Sequence, residues 1–197
     1  MIVLFGLAGS GKGTQGRALA EIFGWRWLSV GEVIRQTKKY DDIISRGEMI
    51  PDEDVINMMN ERIAEAESEG FDVVLDGYPR DVVQAQWIVD NMPEKITGAI
   101  VLEVPKEELL ERLALRGRSD DIKDGSIARR FAVYEQNISL ILQLFESVNI
   151  PVRSINGVGK VEDVTSRLVE VVKSLNPSAT EQANDVNGGE IEHSYGE

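Results

Sequence analysis

The chain has 197 residues, of which 42% are hydrophobic and 28% charged, with a formal net charge of −13; this is an ordinary composition for a soluble globular protein. No apolar run approaches the 18 or more residues of a membrane helix. With no cysteine, a disulfide framework, a Cys nucleophile, an iron–sulfur cluster and a Cys-based zinc site are excluded. The acidic balance argues against broad affinity for nucleic acid or anionic lipid, although a local cluster of Arg and Lys can still hold a small anion.

MIVLF (1–5) reads as a buried strand. It runs straight into glycines with no basic segment before it, so no secretory signal is expected. The next residues, Gly6-Leu7-Ala8-Gly9-Ser10-Gly11-Lys12-Gly13-Thr14, open a helical pattern over 12–23. They fit the phosphate-loop spacing G-x-x-x-x-G-K, with Thr14 one place later than in the commonest form. Glycines there let backbone N–H groups converge on phosphate oxygens, and the helix start adds a favourable dipole. Lys12 supplies a mobile charge for β- and γ-phosphates.

A short strand at 26–29 leads into a helix at 31–39. Ser29 is placed to cap that helix, and Arg35, about a turn inside, is either a solvated charge or a second phosphate ligand. After a helix at 52–68, the strand 71–75 delivers Asp76-Gly77-Tyr78-Pro79-Arg80, and Gln84 follows on a helix at 81–91. Asp76 is either a turn cap or the carboxylate that holds magnesium through water. Arg80 faces the same cleft, and Gln84 offers a paired donor and acceptor for a base edge.

Strands at 98–104 and 150–155 and helices at 106–116, 123–147 and 160–175 complete the pattern. Arg112 suits an i,i+4 ion pair with Glu108. Arg116-Gly117-Arg118-Ser119-Asp120-Asp121 instead reads as a short polar loop between long helices, where guanidiniums can close over phosphates. Near-continuous apolar strands alternating with helices predict an α/β fold, a three-layer, doubly wound five-stranded parallel sheet. Its ligands sit outside the carboxyl ends of the strands. Trp25, Trp27, Trp87, Met58 and Met59 read as packing residues. From Asn176 onward the chain lacks Lys and Arg and has few apolar groups. It is expected to be a disordered acidic tail over 176–197, carrying the lone His193.

GLAGSGKGTQ, LSVGEVIR, GEMIPDE, DGYPRDVVQAQ, RGRSDD and IARRFAVY occur in this order, and with them residues 1–175 resemble the adenylate kinase family of P-loop nucleoside monophosphate kinases. The resemblance implies reversible, Mg2+-dependent phosphoryl transfer from ATP to AMP, giving two ADP. It implies that Gly9, Ser10, Gly11, Lys12, Gly13 and Thr14 hold ATP, together with Arg116 and Gly159. AMP would lie against Val30, Arg35, Glu48, Met49, Ile50, Gly77, Tyr78, Pro79, Arg80 and Gln84. Arg118 and Arg130 would clamp both phosphoryl groups, and Asp76 would organise magnesium through water. Lys12, Arg80, Arg116, Arg118 and Arg130 are thus the implied catalytic set. The monophosphate-binding arm (about 29–50) and the lid (about 116–124) are both abbreviated, and lid closure would exclude water.

Departures from the family pattern are specific. Ala8 replaces a frequent proline, Glu32 replaces a usual aspartate, and Val30 stands where a threonine usually touches the AMP base. Val30 suggests a UMP/CMP kinase as the alternative, whereas Gln84 favours AMP. A GTPase switch lacks its Asn-Lys-x-Asp motif here, and a nucleotide-sensing module without activity would not need Lys12, Asp76 and the arginines. The expected protein is a cytoplasmic monomer acting on ATP, AMP and ADP, without zinc and without nucleic-acid or membrane partners.

Overall fold

The computed structural model describes residues 1–37, 39–40, 50–116 and 126–179. Its strands are β1 (Ile2–Phe5), β2 (Arg26–Ser29), β3 (Val73–Asp76), β4 (Gly98–Glu103) and β5 (Val152–Asn156). They form one parallel sheet in the order β2-β3-β1-β4-β5. Its helices are α1 (Lys12–Phe23), α2 (Val30–Thr37), α3 (Asp52–Ser68), α4 (Val82–Asn91), α5 (Lys106–Arg116), α6 (Ser126–Ser147) and α7 (Val161–Leu175). A 3-10 turn at Pro93–Lys95, not expected from periodicity, leads into β4.

The strands are apolar throughout because both faces are covered. Val3, Phe5, Val73, Leu75, Ala99 and Val101 face one layer, where α3, α4 and α6 bring Met59, Ile63, Ile88 and Phe145. Their alternates Ile2, Leu4, Val74, Ile100 and Leu102 face Leu19 and Phe23 of α1 and Leu168 and Val172 of α7. Each such large side chain contributes about 1.5–3 kcal/mol by leaving water. Trp25 is buried and stacks on Phe23 at 4.8 Å; Trp87 and Met58 pack against the first layer. A third, smaller cluster joins Leu109 and Leu113 of α5 and Phe131 of α6 to Leu7 and Ala8. It lies directly under the glycine-rich loop.

Strand β1 is central, and the chain turns from its β3 side to its β4 side. The carboxyl ends of β1 and β3 consequently open on one crevice, the topological switch point where such sheets bind ligands. Register sets this closely: Leu4 pairs with Asp76, and Ser29 pairs with Asp76 from the other side.

The C-terminal boundary moves. Residues 176–179 belong to the packed domain, not to the expected tail: Asn176 accepts from the Ala179 N–H at 3.0 Å, and Ala179 is fully buried against the α1 and α7 layer. The remainder of the expected tail, 180–197 with His193, lies outside the described residues, as do residues 38 and 41–49 of the arm and 117–124 of the lid. Truncation after Ala179 is expected to leave the melting temperature unchanged. Truncation after Leu175 uncovers the site filled by the Ala179 methyl, a loss of about 1 kcal/mol. A further fall of about 2–4 °C is expected for a domain of this size, read by differential scanning calorimetry of the two truncated chains.

Candidate functional site

The loop between β1 and α1 is built for close backbone approach. Gly9 and Gly11 take positive φ, 88° and 95°, a region costly for any residue with a Cβ. A Cβ on Gly9 would also meet the Leu109 carbonyl at 3.1 Å. Gly11 occupies the N-cap of α1 with no side-chain cap, and no acidic residue lies in the first turn. The orphan N–H groups and positive dipole end of α1 are thus offered to an anion. Lys12 folds its ammonium back over this loop, donating to the Gly6 carbonyl at 2.6 Å and the Leu7 carbonyl at 2.9 Å. Ser10 is buried within the turn, and Thr14 is exposed on the first turn of the helix.

Asp76 closes the other side of the crevice at the end of β3. It is buried, and that burial raises its pKa; the charges of Lys12, Arg80 and Arg17 and a hydrogen bond with Ser29 oppose the rise. Ser29 therefore serves Asp76, a role not anticipated for it as a helix cap. A Cβ on Gly13 would sit 3.5 Å from Asp76 Oδ2, so the carboxylate stands over the start of α1. Arg17, on the next turn, lies 4.0 Å over the Trp27 ring and bonds Glu32 at 2.7 Å. That contact ties α1 to α2.

The arginines gather at Gly31. A Cβ there would lie 3.3 Å from an Arg35 Nη and 3.6 Å from an Arg80 Nη. Arg80 is held by its Nε–H on the Gly77 carbonyl at 3.2 Å, and its charge is felt by Asp76 as attraction and by Arg130 and Arg35 as repulsion. The two guanidiniums that meet at this point make a place for an anion between them. The structure thus brings together Lys12, Asp76, Arg35, Arg80 and Arg130. Glu48, Met49 and Arg118 lie outside the described residues; Arg116 ends α5, and Ile50 is half-buried just before α3.

Other expected contacts turn inward. Val30 is 1% exposed, and one of its methyls would touch a Cβ on Gly77 at 3.6 Å. Tyr78 and Pro79, joined by a cis peptide, are buried. The Tyr78 hydroxyl has no hydrogen-bond partner among the described residues, and burial pushes its pKa up. Gln84 is 2% exposed and heavily bonded: its Oε1 accepts from Arg80 N–H at 2.9 Å, while Nε2 donates to Asp52 at 2.8 Å and to Asp81 at 2.9 Å. It is therefore not the freely offered base reader that the sequence suggests. Asp52 and Asp81, which hold Gln84, were not singled out from the sequence, although Asp81 three places before Gln84 carries an N-cap signature. Across the crevice Gly159 takes φ 120° after β5, with Arg167 bracing the same turn through the Asn156 and Val158 carbonyls, both at 2.8 Å. Arg112 pairs with Glu108, as its spacing suggests, and also bonds the Gly157 carbonyl.

The family model for adenylate kinase matches residues 4–150. The chain is 34% identical over 182 residues to an adenylate kinase of Prochlorococcus marinus, covering 87% of this chain and 97% of that protein. It is 35% identical over 193 residues to one of Micrococcus luteus (88% and 91%) and 29% identical over 182 residues to one of Thermus thermophilus (85% and 94%).

The Gly31 cradle gives a test. Gly31→Ala adds a methyl where only the flexible ends of Arg35 and Arg80 are displaced, and alanine favours the helix by roughly 1 kcal/mol. Its melting temperature is expected to equal or exceed that of the wild type, while affinity for a nucleoside monophosphate falls at least tenfold by titration calorimetry.

Proposed function

Since the chain belongs to the adenylate kinase family, whose members are nucleoside monophosphate kinases, we propose that the α1 loop holds the phosphates of ATP and the Gly31 cradle that of AMP. The carrying observation is the convergence of Arg35 and Arg80 over Gly31, with Arg130 close enough to repel Arg80. It lies across the crevice from an uncapped helix start. Two anion sites facing each other are what transfer between two phosphate groups requires.

In the proposed reaction an oxygen of the AMP phosphate attacks the γ-phosphorus of ATP. A new P–O bond forms as the bond to the β-phosphate oxygen breaks, and both products are ADP. No side chain needs to act as nucleophile, so catalysis is positioning and charge stabilisation. Lys12 exchanges the Gly6 and Leu7 carbonyls for phosphate oxygens. Arg35 and Arg80 hold the acceptor, and Arg130, with Arg116 and Arg118 by resemblance, offsets charge on the group in flight.

Family membership implies magnesium. One buried carboxylate facing a phosphate loop suits that ion, which keeps several waters and takes only one or two carboxylates beside substrate phosphates. Among the described residues no cluster of three or more acidic or imidazole groups offers a full protein cage, so Asp76 would hold the ion through water. When bound, the ion would supply positive charge against the phosphates of ATP. Val30 favours a pyrimidine acceptor only if its side chain reaches the base, and here it is turned into the core.

Initial rates with ATP against AMP, CMP, UMP and GMP test the assignment: AMP is the best acceptor, and equal or better efficiency with CMP or UMP overturns it. Lys12→Ala keeps the fold but lowers ADP formation at least a hundredfold; a loss below tenfold removes Lys12 from its role. Asp76→Asn separates stability from activity. Because burial puts the folded-state pKa of Asp76 above its ordinary value, the ionised group costs stability. The cost is absent below the ordinary carboxylate range and complete above the raised value. Asp76→Asn should therefore melt higher than wild type at pH 7, read by differential scanning calorimetry. The difference should vanish as pH falls towards 4, although turnover with magnesium collapses at every pH.

A further inference from the structure

Gln84 is held by a carboxyl pair. Asp52 begins α3 and Asp81 caps α4. Between them lies the Gln84 amide, whose Nε2 donates to Asp52 at 2.8 Å and to Asp81 at 2.9 Å. Asp81 also accepts the Gln84 backbone N–H at 2.9 Å. On the far side Oε1 accepts from the Arg80 backbone N–H.

These partners leave the amide one orientation. A backbone N–H can only donate, so Oε1 must face Arg80, and both amide hydrogens are directed at carboxyl oxygens. The group is 2% exposed, so water does not compete for either hydrogen. What Gln84 retains is a single lone pair on Oε1.

We propose that Asp52 and Asp81 are positioning residues that set the acceptor preference by presenting Gln84 to the base as a carbonyl oxygen and nothing else. This rests on the reading that the acceptor base lies against Gln84. A lone pair welcomes an exocyclic amine and repels a keto oxygen. Adenine and guanine have the same ring frame, but at the six position adenine carries an amine and guanine a keto oxygen. The clamp therefore discriminates between purines of one size by the sign of one hydrogen bond. A freely rotating carboxamide would serve either base, since it can offer its amine to a keto group. Both aspartates are needed because each holds one hydrogen.

The decisive comparison is the AMP-to-GMP ratio of kcat/KM in wild type, Asp81→Asn and Asp52→Asn. The Asp81→Asn variant keeps the cap through the new carbonyl oxygen but turns an amine towards Nε2, so one of the two acceptors that hold the Gln84 amide is replaced by a repelling donor and the clamp is loosened. The ratio is expected to fall about tenfold, through the KM of the monophosphate, with kcat for AMP and KM for ATP within twofold. In Asp52→Asn the introduced amide can still accept from Nε2 with its carbonyl while its amine donates to Asp81, and this conservative variant keeps the ratio within threefold. In parallel, side-chain amide NMR of the ligand-free wild type, assigned with Gln84→Ala, should show both hydrogens protected from solvent exchange. This second readout stands even if Asp81→Asn fails to fold. Exchange at the rate of an exposed amide overturns the clamp. Protected hydrogens together with a ratio that neither Gln84→Ala nor Asp81→Asn alters overturn the specificity role, because the base then lies elsewhere, and leave the kinase reading standing. A loss of kcat with both KM values raised alike marks a merely structural pair and also overturns the proposal.

Discussion

A buried carboxylate that must stay close to cations organises this molecule. Asp76 ends β3 in the interior, where an ionised group is costly unless it is paired and hydrogen-bonded. Its compensation comes from three separate elements: Ser29 at the end of β2, Lys12 at the start of α1, and Arg80 just beyond β3. That compensation requires the carboxyl ends of β1, β2 and β3 to be level, and the registers Leu4 with Asp76 and Ser29 with Asp76 make them so. Slipping either pairing by one residue would turn the aspartate into an apolar layer and strand its partners. The sheet register and the site electrostatics are thus one constraint seen at two scales.

The ends of α1 and α4 show how local sequence decides which helix start meets a ligand. Helix α4 is closed by Asp81, whose carboxylate takes the Gln84 N–H. Helix α1 begins after Gly11 in the left-handed region with no side chain over it. An aspartate in place of Gly11 would provide a cap worth about 1 kcal/mol, but its charge would occupy the anion site and its Cβ would strain a positive φ. Stability forgone at one helix start is the condition for binding there. The loop rests instead on Leu109, Leu113 and Phe131 through Leu7 and Ala8, so its floor is apolar packing and its open face is all N–H.

Much of this was legible in the sequence, and the limits were physical. Apolar runs and helical periodicity placed the five strands and seven helices of the described residues within a few residues, because burial on both sheet faces leaves a continuous signal. The phosphate loop was legible for the same reason that it works, since closely spaced glycines in a strand-to-helix turn have few other uses. Three features were not legible. Ala179 lies beyond a proline in polar sequence, and a single buried methyl leaves no periodicity. Val30 and Gln84 look like site residues in linear order, but their direction is decided by packing over Gly77 and by Asp52, a residue distant in sequence. The convergence of Arg35 and Arg80 on Gly31 depends on where β3 ends relative to α2, information carried by the sheet alone.

The acidic chain and its basic site are compatible because the two act over different ranges. A net charge of −13 is spread over the molecule, and at physiological salt its field decays within about 8 Å. Many of its carboxylates are also already paired at the surface, as Glu69 is with Arg26 and Glu67 with Lys95. In the crevice, by contrast, Arg35 and Arg80 stand within contact of one point above Gly31, close enough to act before screening does. The global charge then opposes nucleic acid and other extended polyanions, which must approach over many Debye lengths of acidic surface. A small phosphate ester meets chiefly the local cations.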